Sequence, residues 1–162
     1  MQRELLQIEG YDRISDSWHS SSPFGGKIKM KKGRTVLQAK RYGIHSCSPT
    51  TSLISAIRTM VEEEVSSLVV EDDRGYLAGL ITRTDIVKAH ITLDNWASQC
   101  VREHMRRDVL VVFPTTLLID AARLMLEQGG RQVVVVLDES GQLRPVAMLT
   151  DGDLAYHMVK AS

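Results

Sequence analysis

Hydrophobic residues between positions 53 and 61 recur at the spacing of one helix face. One apolar stripe, at positions i, i+1, i+4, i+7 and i+8, is formed by Leu53, Ile54, Ile57, Met60 and Val61. This spacing predicts an amphipathic helix that needs a core to pack against. The short β-branched runs at 68–70 and 133–137 predict strands that are covered on both faces.

The same pattern occurs twice along the chain. Residues 49–60 (PTTSLISAIRTM) match residues 114–125 (PTTLLIDAARLM) at eight of twelve positions without a gap. The offset of 65 residues also pairs the strand at 68–70 with the run at 133–135. Further on, the offset grows to 68, so three residues are inserted in and around the second copy's turn. A duplicated unit is therefore expected.

Each copy predicts the same order of elements, β-α-β-β-α. A short strand leads into the PTT sequence, whose proline favours extended geometry before it and whose threonines offer a helix N-cap. An Asp/Gly turn after the buried strand lets the next strand pair back as a hairpin. The remaining predicted elements are strands at 44–47, 76–82, 109–113 and 143–150, and final helices that begin at Thr82 and Thr150. We expect an α/β fold in which two such units form one body with pseudo-twofold symmetry, because together they bury more apolar surface.

The chain divides into four predicted segments. They are an N-terminal extension at 1–35, a first repeat at 36–93, a linker at 94–100 and a second repeat at 101–162. The extension contains DSWHSSSPFGG, which indicates a loop or flexible linker.

The basic stretch Lys27 to Arg41 holds seven Lys and Arg residues and no acid, although the whole chain has a formal net charge of zero. Such charge suits a polyanion such as nucleic acid. The alternative is a solvated or dimer-contacting lead-in strand. The stretch has no interleaved aromatic residues, and the rest of the chain is not basic, so we do not expect a nucleic-acid partner.

Composition argues against a membrane protein and a disulfide-rich protein. The longest purely apolar runs have five residues, whereas a membrane-spanning helix needs about twenty. The start MQRELLQ lacks the apolar stretch of a signal peptide, so a cytoplasmic protein is expected. Cys47 and Cys100 are too few for a disulfide framework or a zinc knuckle, and we expect both to be reduced, buried, structural thiols.

Motifs of common enzyme classes are missing from the sequence. The five histidines do not show HExxH spacing, and no GxSxG, Walker or GxGxxG segment occurs. We therefore expect neither catalysis nor a metal requirement. His45, just before Cys47 of the first strand, is placed to line a slot, but an ordinary partly buried histidine is the alternative.

The segments GLITRTD (79–85) and AMLTDGD (147–153) carry the most specific signal. Each has an apolar strand end with a small residue, then Thr, then Asp three residues later at a helix start. At these residues the sequence resembles the tandem cystathionine-β-synthase-type domain family, the CBS pair or Bateman module. The resemblance covers residues 36–160. It implies a regulatory module that forms a homodimer and binds AMP, ADP, ATP, S-adenosylmethionine or NAD.

Two interpretations of the Thr-x-x-Asp motifs stay open from the sequence. In the first, Thr and Asp form a capping box, and the acid in the first turn suits the helix dipole. In the second, the helix N-terminus and the hydroxyls of Thr82 and Thr150 lie toward a ligand's phosphates. Asp85 and Asp153 then accept hydrogen bonds from a ribose diol.

The predicted slot for a flat adenine has small and apolar walls. Its proposed borders are Gly79, Leu80, Ile81, Ala147, Met148 and Leu149. The copies differ in charge, since Arg83 follows the first Thr and can pair with phosphate, whereas Asp151 follows the second. The family resemblance implies a compensating phosphate contact from Arg131, and a solvated loop residue is the alternative. We expect at least one occupied site and unequal affinities.

The leading hypothesis is an adenosyl-nucleotide-sensing regulatory module that acts through ligand-biased conformation and dimerisation, and its output could be read by a protein target. The alternative is a ligand-free interaction scaffold or a nucleic-acid-associated protein that uses the basic extension. A regulatory fragment detached from an enzyme is a third option.

Overall fold

A computed structural model describes residues 33–40 and 43–160 of the chain. Its α-helices are α1 (Val36–Ala39), α2 (Leu53–Glu62), α3 (Arg83–Thr92), α4 (Leu118–Glu127) and α5 (Asp151–Lys160). Its strands are β1 (Ser46–Cys47), β2 (Ser67–Glu71), β3 (Leu77–Thr82), β4 (Val111–Val112), β5 (Gln132–Glu139) and β6 (Gln142–Thr150). Short 3-10 helices at Trp96–Ser98 and Val101–Glu103 join the two halves. The predicted β-α-β-β-α order is confirmed in both copies. The prediction of a loop at DSWHSSSPFGG lies outside the described residues, as do five of the seven basic residues of the stretch Lys27 to Arg41.

Each repeat contributes one three-stranded sheet with the same topology. β1 runs parallel to β2, and β2 pairs with β3 as an antiparallel hairpin; β4, β5 and β6 repeat this arrangement. The second hairpin has longer strands, which accommodates the inserted residues. β1 and β4 are shorter than predicted. The chain before β1 pairs with the other repeat instead, because the N–H of Gly43 donates to the carbonyl of Val146 at 2.9 Å.

The segment that precedes each repeat packs against the other repeat. Val36 N–H donates to Thr116 O at 2.8 Å, and Leu118 N–H donates to Arg34 O at 2.9 Å. Two equivalent bonds of the same lengths, each offset by 65 residues, join residues 99–101 to residues 51–53. The two repeats therefore exchange their leading segments. The segment before the first repeat packs on the second repeat, and the segment before the second repeat packs on the first.

The buried strands separate two hydrophobic clusters. Between the sheet of the first repeat and its helices, the fully or nearly buried residues include Leu53, Met60, Leu68, Ile81, Ile86 and Val101. Between the two repeats, the buried residues are Val69, Leu80, Val134, Val136 and Leu143. Alternate residues of β2 thus face opposite clusters, which confirms that this strand is covered on both faces.

The buried face of α2 differs from the predicted stripe. Leu53, Ala56 and Met60 are fully buried, but Ile54 is partly exposed and Val61 is 67% exposed. The prediction was wrong for these last two residues because the helix contacts its sheet along one narrow face. The same holds at the end of each repeat, where α3 and α5 leave several apolar side chains exposed.

The threonines of the PTT segments do not cap the following helices, so that prediction was wrong. Ser52 is the N-cap of α2, and Leu117, which has no capping side chain, occupies that position in α4. Thr51 Oγ1 instead accepts a hydrogen bond from Ser48 N–H at 3.2 Å, and Thr116 Oγ1 makes the equivalent contact. Each hydroxyl closes the turn around the proline, one residue before the helix cap.

Both cysteines are free thiols. They are half-buried, so the prediction of full burial was wrong; Cys47 lies on β1, an edge strand of its sheet. Burial, followed by the nearby carboxylate of Glu71, raises the pKa of Cys47 to about 11. The Cys47 thiol therefore stays protonated at neutral pH and is a poor nucleophile.

Candidate functional site

Each Thr-x-x-Asp motif forms a capping box at the start of a helix. The carboxylate of Asp85 accepts hydrogen bonds from the Thr82 N–H at 3.0 Å and hydroxyl at 2.6 Å, and the Asp85 N–H donates back to Thr82 Oγ1 at 3.2 Å. Thr150 and Asp153 make the same three contacts at 2.8, 3.0 and 3.3 Å. Capping is thus present in both copies, and it fixes the orientation of both carboxylates.

Each of these carboxylates also forms an ion pair with a basic side chain from an exchanged leading segment. Lys40 Nζ lies 2.9 Å from Oδ1 and 3.0 Å from Oδ2 of Asp153. Arg106 Nη2 lies 3.3 Å from Oδ1 of Asp85. Lys40 and Arg106 were not predicted from the sequence. The available signal was the 65-residue offset, which aligns Arg106 with Arg41, next to Lys40.

Burial and hydrogen bonding act in opposite directions on Asp153, whose side chain is 24% exposed. Burial raises its pKa, but hydrogen bonds and charge from Lys40 and donors from Thr150 lower it, and the pKa of Asp153 ends below its ordinary value. The carboxylate is therefore ionised at neutral pH and acts only as an acceptor.

A cavity of about 350 Å³ opens beside Thr150, between the two repeats. This volume is at the lower end of the range of about 300–1,000 Å³ for small-molecule sites. Its walls are residues 43–45, the loop 64–67, Met148, Thr150 and Lys40. Among the residues predicted to border an adenine, Met148 lines this cavity, and His45 lines it as well.

The loop 64–67 that lines the cavity contains a residue with unusual backbone geometry. Glu64 has a φ of +54°, and the residue at the equivalent position of the second repeat is Gly129, with a φ of +64°. Both follow the C-terminus of a helix, where glycine is favoured because it adopts this left-handed conformation without steric cost. The first repeat thus places a carboxylate in the wall of the cavity where the second repeat has glycine.

Gly79, Ile81 and Leu149 lie against protein rather than against the cavity. A Cβ atom on Gly79 would lie 2.7 Å from the carbonyl oxygen of Arg106 and 2.8 Å from the sulfur of Met105. The small residue therefore admits the leading segment of the second repeat. Ile81 and Leu149 are fully buried. Successive side chains of a strand point to opposite faces of the sheet, so Ile81 and Leu149 lie on the faces opposite to those of Leu80 and Met148.

The two predicted phosphate contacts are held by protein groups in this structure. Arg83 donates from Nε and Nη2 to the carbonyl of Val65, at 3.1 and 3.0 Å, and so contacts the loop that lines the cavity beside Thr150. The sequence had assigned it to the slot of its own motif. Arg131 Nε lies 3.0 Å from Asp151 Oδ2, so the charge of Asp151, the residue that follows Thr150, is paired with Arg131 at an exposed position.

Neither a metal-binding cluster nor a membrane-spanning helix occurs among the residues that the structure describes. Within residues 33–40 and 43–160, no group of three or more His, Cys, Asp or Glu side chains could hold a metal ion. In the same residues, no helix is long and apolar enough to cross a membrane.

Comparison with known proteins identifies the family of the repeats. The model of the CBS domain matches residues 40–91 and 101–160. The chain belongs to the CBS-domain family. The two matched CBS domains contain the Thr82 and Thr150 motifs and together cover more than half of the sequence.

Relatives and solved structures agree with this membership. The CBS-domain chain is 31% identical over 116 residues to an uncharacterized 17.7 kDa protein of Acidianus ambivalens, covering 72% of this chain and 69% of the relative. It is 30% identical to CBSX2, solved in complex with AMP, with a TM-score of 0.69 and coverage of 80% and 98% of the two chains.

A second solved structure supports the fold alone. It is a CBS domain pair in complex with 5′-methylthioadenosine and S-adenosyl-L-methionine, with a TM-score of 0.72, 22% identity and coverage of 80% and 99% of the two chains. The match to this chain covers 69% of the Acidianus ambivalens relative, but only 33% and 18% of two further curated relatives, from Methanocaldococcus jannaschii and Methanococcoides burtonii. The region that matches this chain is therefore only part of each of the two longer relatives.

Proposed function

We propose that this chain is a regulatory module that senses an adenosine-containing ligand, and that the ligand binds in the cavity beside Thr150. The observation that carries the proposal is the position of this cavity: its walls come from both repeats, and it lies next to an oriented, ionised carboxylate. The complex of the related CBSX2 with AMP supports this ligand class.

The proposed contacts follow from the chemistry of the wall. Asp153 accepts hydrogen bonds from the ribose hydroxyls, which a carboxylate binds well in a half-buried site. Thr150 and the N-terminus of α5 lie toward the phosphate. Met148 and Ile44 offer apolar surface to the purine. Gly79, Ile81 and Leu149 support the site through packing rather than through direct contact.

A second site is proposed around Thr82 and Asp85. The 65-residue offset assigns residues 108–110 and 129–132 as its walls, and these include Arg131. Its charges differ from those of the first site, because Gly129 replaces Glu64 and Arg131 replaces a serine. We therefore propose two sites of unequal affinity.

The regulatory effect is proposed to be thermodynamic. A ligand that contacts both repeats favours the arrangement in which both walls fit it, and this shifts the population of conformations. Coupling free energies of this kind are typically about 1–3 kcal/mol. In this proposal the role of the chain is regulatory rather than catalytic. If these domains belong to a longer protein, we propose that the ligand regulates the activity of that protein.

The association of two copies is a further part of the proposal. The exposed apolar side chains of α3 and α5 are Val87, Ile91, Tyr156, Met158 and Val159. A second copy of this chain would cover them. Light scattering on the full chain should give a dimer mass that Ile91→Asp or Met158→Asp reduces to the monomer mass. A monomer mass for the wild-type chain would contradict dimerisation without affecting the ligand proposal.

Titration calorimetry with AMP, ATP and S-adenosylmethionine tests the ligand proposal. We expect the wild-type chain to bind at least one of them, and Asp153→Asn to weaken binding. Asp73→Asn removes an exposed turn carboxylate of the same charge and serves as the matched control. Wild-type binding that neither Asp153→Asn nor Asp85→Asn weakens would exclude the assigned sites, and no binding at all would favour a ligand-free scaffold.

A further inference from the structure

We infer that Lys40 is a phosphate-binding, specificity-determining residue that exchanges partners when ligand binds. In the free protein its ammonium holds Asp153. When a ribose occupies the carboxylate, the ammonium moves to the 5′-phosphate of the same nucleotide. The inference rests on the proposed function and adds to it the class of ligand, an adenosine phosphate rather than an uncharged nucleoside.

The acceptor sites of Asp153 are already occupied in this structure. Oδ2 accepts from the N–H and hydroxyl of Thr150 and from Lys40, while Oδ1 accepts from Lys40. The bonds from Thr150 belong to the capping box that begins α5, so they remain as long as the helix does. A ribose diol that needs two acceptor positions therefore competes with Lys40.

The displaced ammonium needs a new anion. The Lys40 side chain is 31% exposed and lines the cavity, so its charge is only partly hydrated after it leaves Asp153. An unpaired cation in such a place is unfavourable. A phosphate at the N-terminus of α5 offers the ammonium a charge-assisted hydrogen bond inside the same cavity, because the flexible stem of lysine permits a short movement.

Glu64 is the acidic residue among those that line the cavity, and it is the competing acceptor for Lys40. If Lys40 moved to Glu64, ligand binding would not depend on a phosphate. The two possibilities differ in a measurable quantity, the ratio of the AMP affinity to the adenosine affinity. This ratio also cancels any effect of a substitution that weakens all ligands equally.

The test is titration calorimetry of the full chain with AMP and with adenosine, for the wild type, Lys40→Met, Lys40→Arg and Glu64→Gln. We expect the wild type to prefer AMP by about tenfold or more, the usual worth of one charge-assisted hydrogen bond. In Lys40→Met, adenosine binding should be equal or stronger, because no cation is displaced, and the preference should fall to about threefold or less. Lys40→Arg and Glu64→Gln should keep the preference.

Each other outcome overturns the inference in a recognisable way. A preference that survives in Lys40→Met, or is lost in Glu64→Gln alone, removes Lys40 from phosphate binding and leaves the proposed function standing. Equal weakening of both ligands assigns Lys40 a structural role only. Wild-type protein that binds neither AMP nor adenosine overturns the inference, and the proposed function fails with it only if ATP and S-adenosylmethionine do not bind either. If Lys40→Met does not fold, as judged by circular dichroism, Lys40→Gln provides the same comparison.

Discussion

Gly79 is a position at which the structure predicts a large effect on stability from the addition of a single methyl group. Gly79→Ala adds one Cβ atom, which would lie 2.7 Å from the backbone oxygen of Arg106 and 2.8 Å from the sulfur of Met105. The Met105 side chain can rotate away, but the carbonyl of Arg106 cannot move without taking its segment with it. The added atom therefore either lifts the exchanged leading segment off β3 or leaves a close contact with that segment.

Two backbone hydrogen bonds are at stake in that movement. Leu80 N–H donates to Arg106 O at 2.9 Å, and Arg106 N–H donates to Leu80 O at 2.8 Å. Losing both costs about 1 kcal/mol each. The alternative, keeping them and accepting the close contact, costs about 1–3 kcal/mol, as overpacking does elsewhere. We therefore expect Gly79→Ala to lower the free energy of unfolding by about 2–3 kcal/mol.

The measurement is urea denaturation followed by far-ultraviolet circular dichroism. Gly152→Ala is the matched control, because its added Cβ would meet only Thr150 Oγ1, at an ordinary 3.6 Å, and the residue lies in α5. This control should be neutral or stabilising by up to about 1 kcal/mol. A Gly79→Ala midpoint equal to that of the wild type would refute the reasoning, as would equal shifts in both variants.

Three further predictions concern other parts of the fold. Glu64→Gly should raise the melting temperature, by relieving a left-handed conformation that costs about 1 kcal/mol, whereas Gly129→Ala should lower it; opposite signs would contradict this. The low pKa of Asp153 means that its carboxylate stabilises the fold above about pH 4 and loses this effect as the pH falls, so the stability difference from Asp153→Asn should shrink in acid denaturation series. Met60→Ala should cost about 2–5 kcal/mol in chemical denaturation and Val61→Ala less than 1, since Met60 is fully buried and Val61 is exposed.

The order of the elements and the buried central residues of the strands were predictable, because both depend on patterns among residues close in sequence. The repeat at 49–60 and 114–125 gives two copies of one unit, and the continuous apolar, β-branched run at 68–70 predicts a strand that is covered on both faces. The contacts within each Thr-x-x-Asp motif also lie three residues apart. A capping box needs nothing beyond those residues and the helix that they begin.

The burial of helix faces was predictable only in part. Periodicity shows which residues share a face, but the width of the contact depends on how the helix lies on its sheet. Val61 belongs to the apolar face of α2 and is exposed, whereas Ala56, small and easily overlooked, is fully buried. The direction of packing therefore decided what hydrophobicity alone could not.

The sequence by itself determined two copies of one unit, their strands and helices, and the acids at the helix starts. Only the tertiary structure decided that the leading segments are exchanged, that Gly79 makes room for one of them, and that Lys40 reaches Asp153 across 113 residues. The physical reason is the range of the interactions. A hydrogen-bonded helix cap or a periodic spacing of apolar residues depends only on residues close in sequence. An ion pair between repeats forms only after both repeats have folded and packed together.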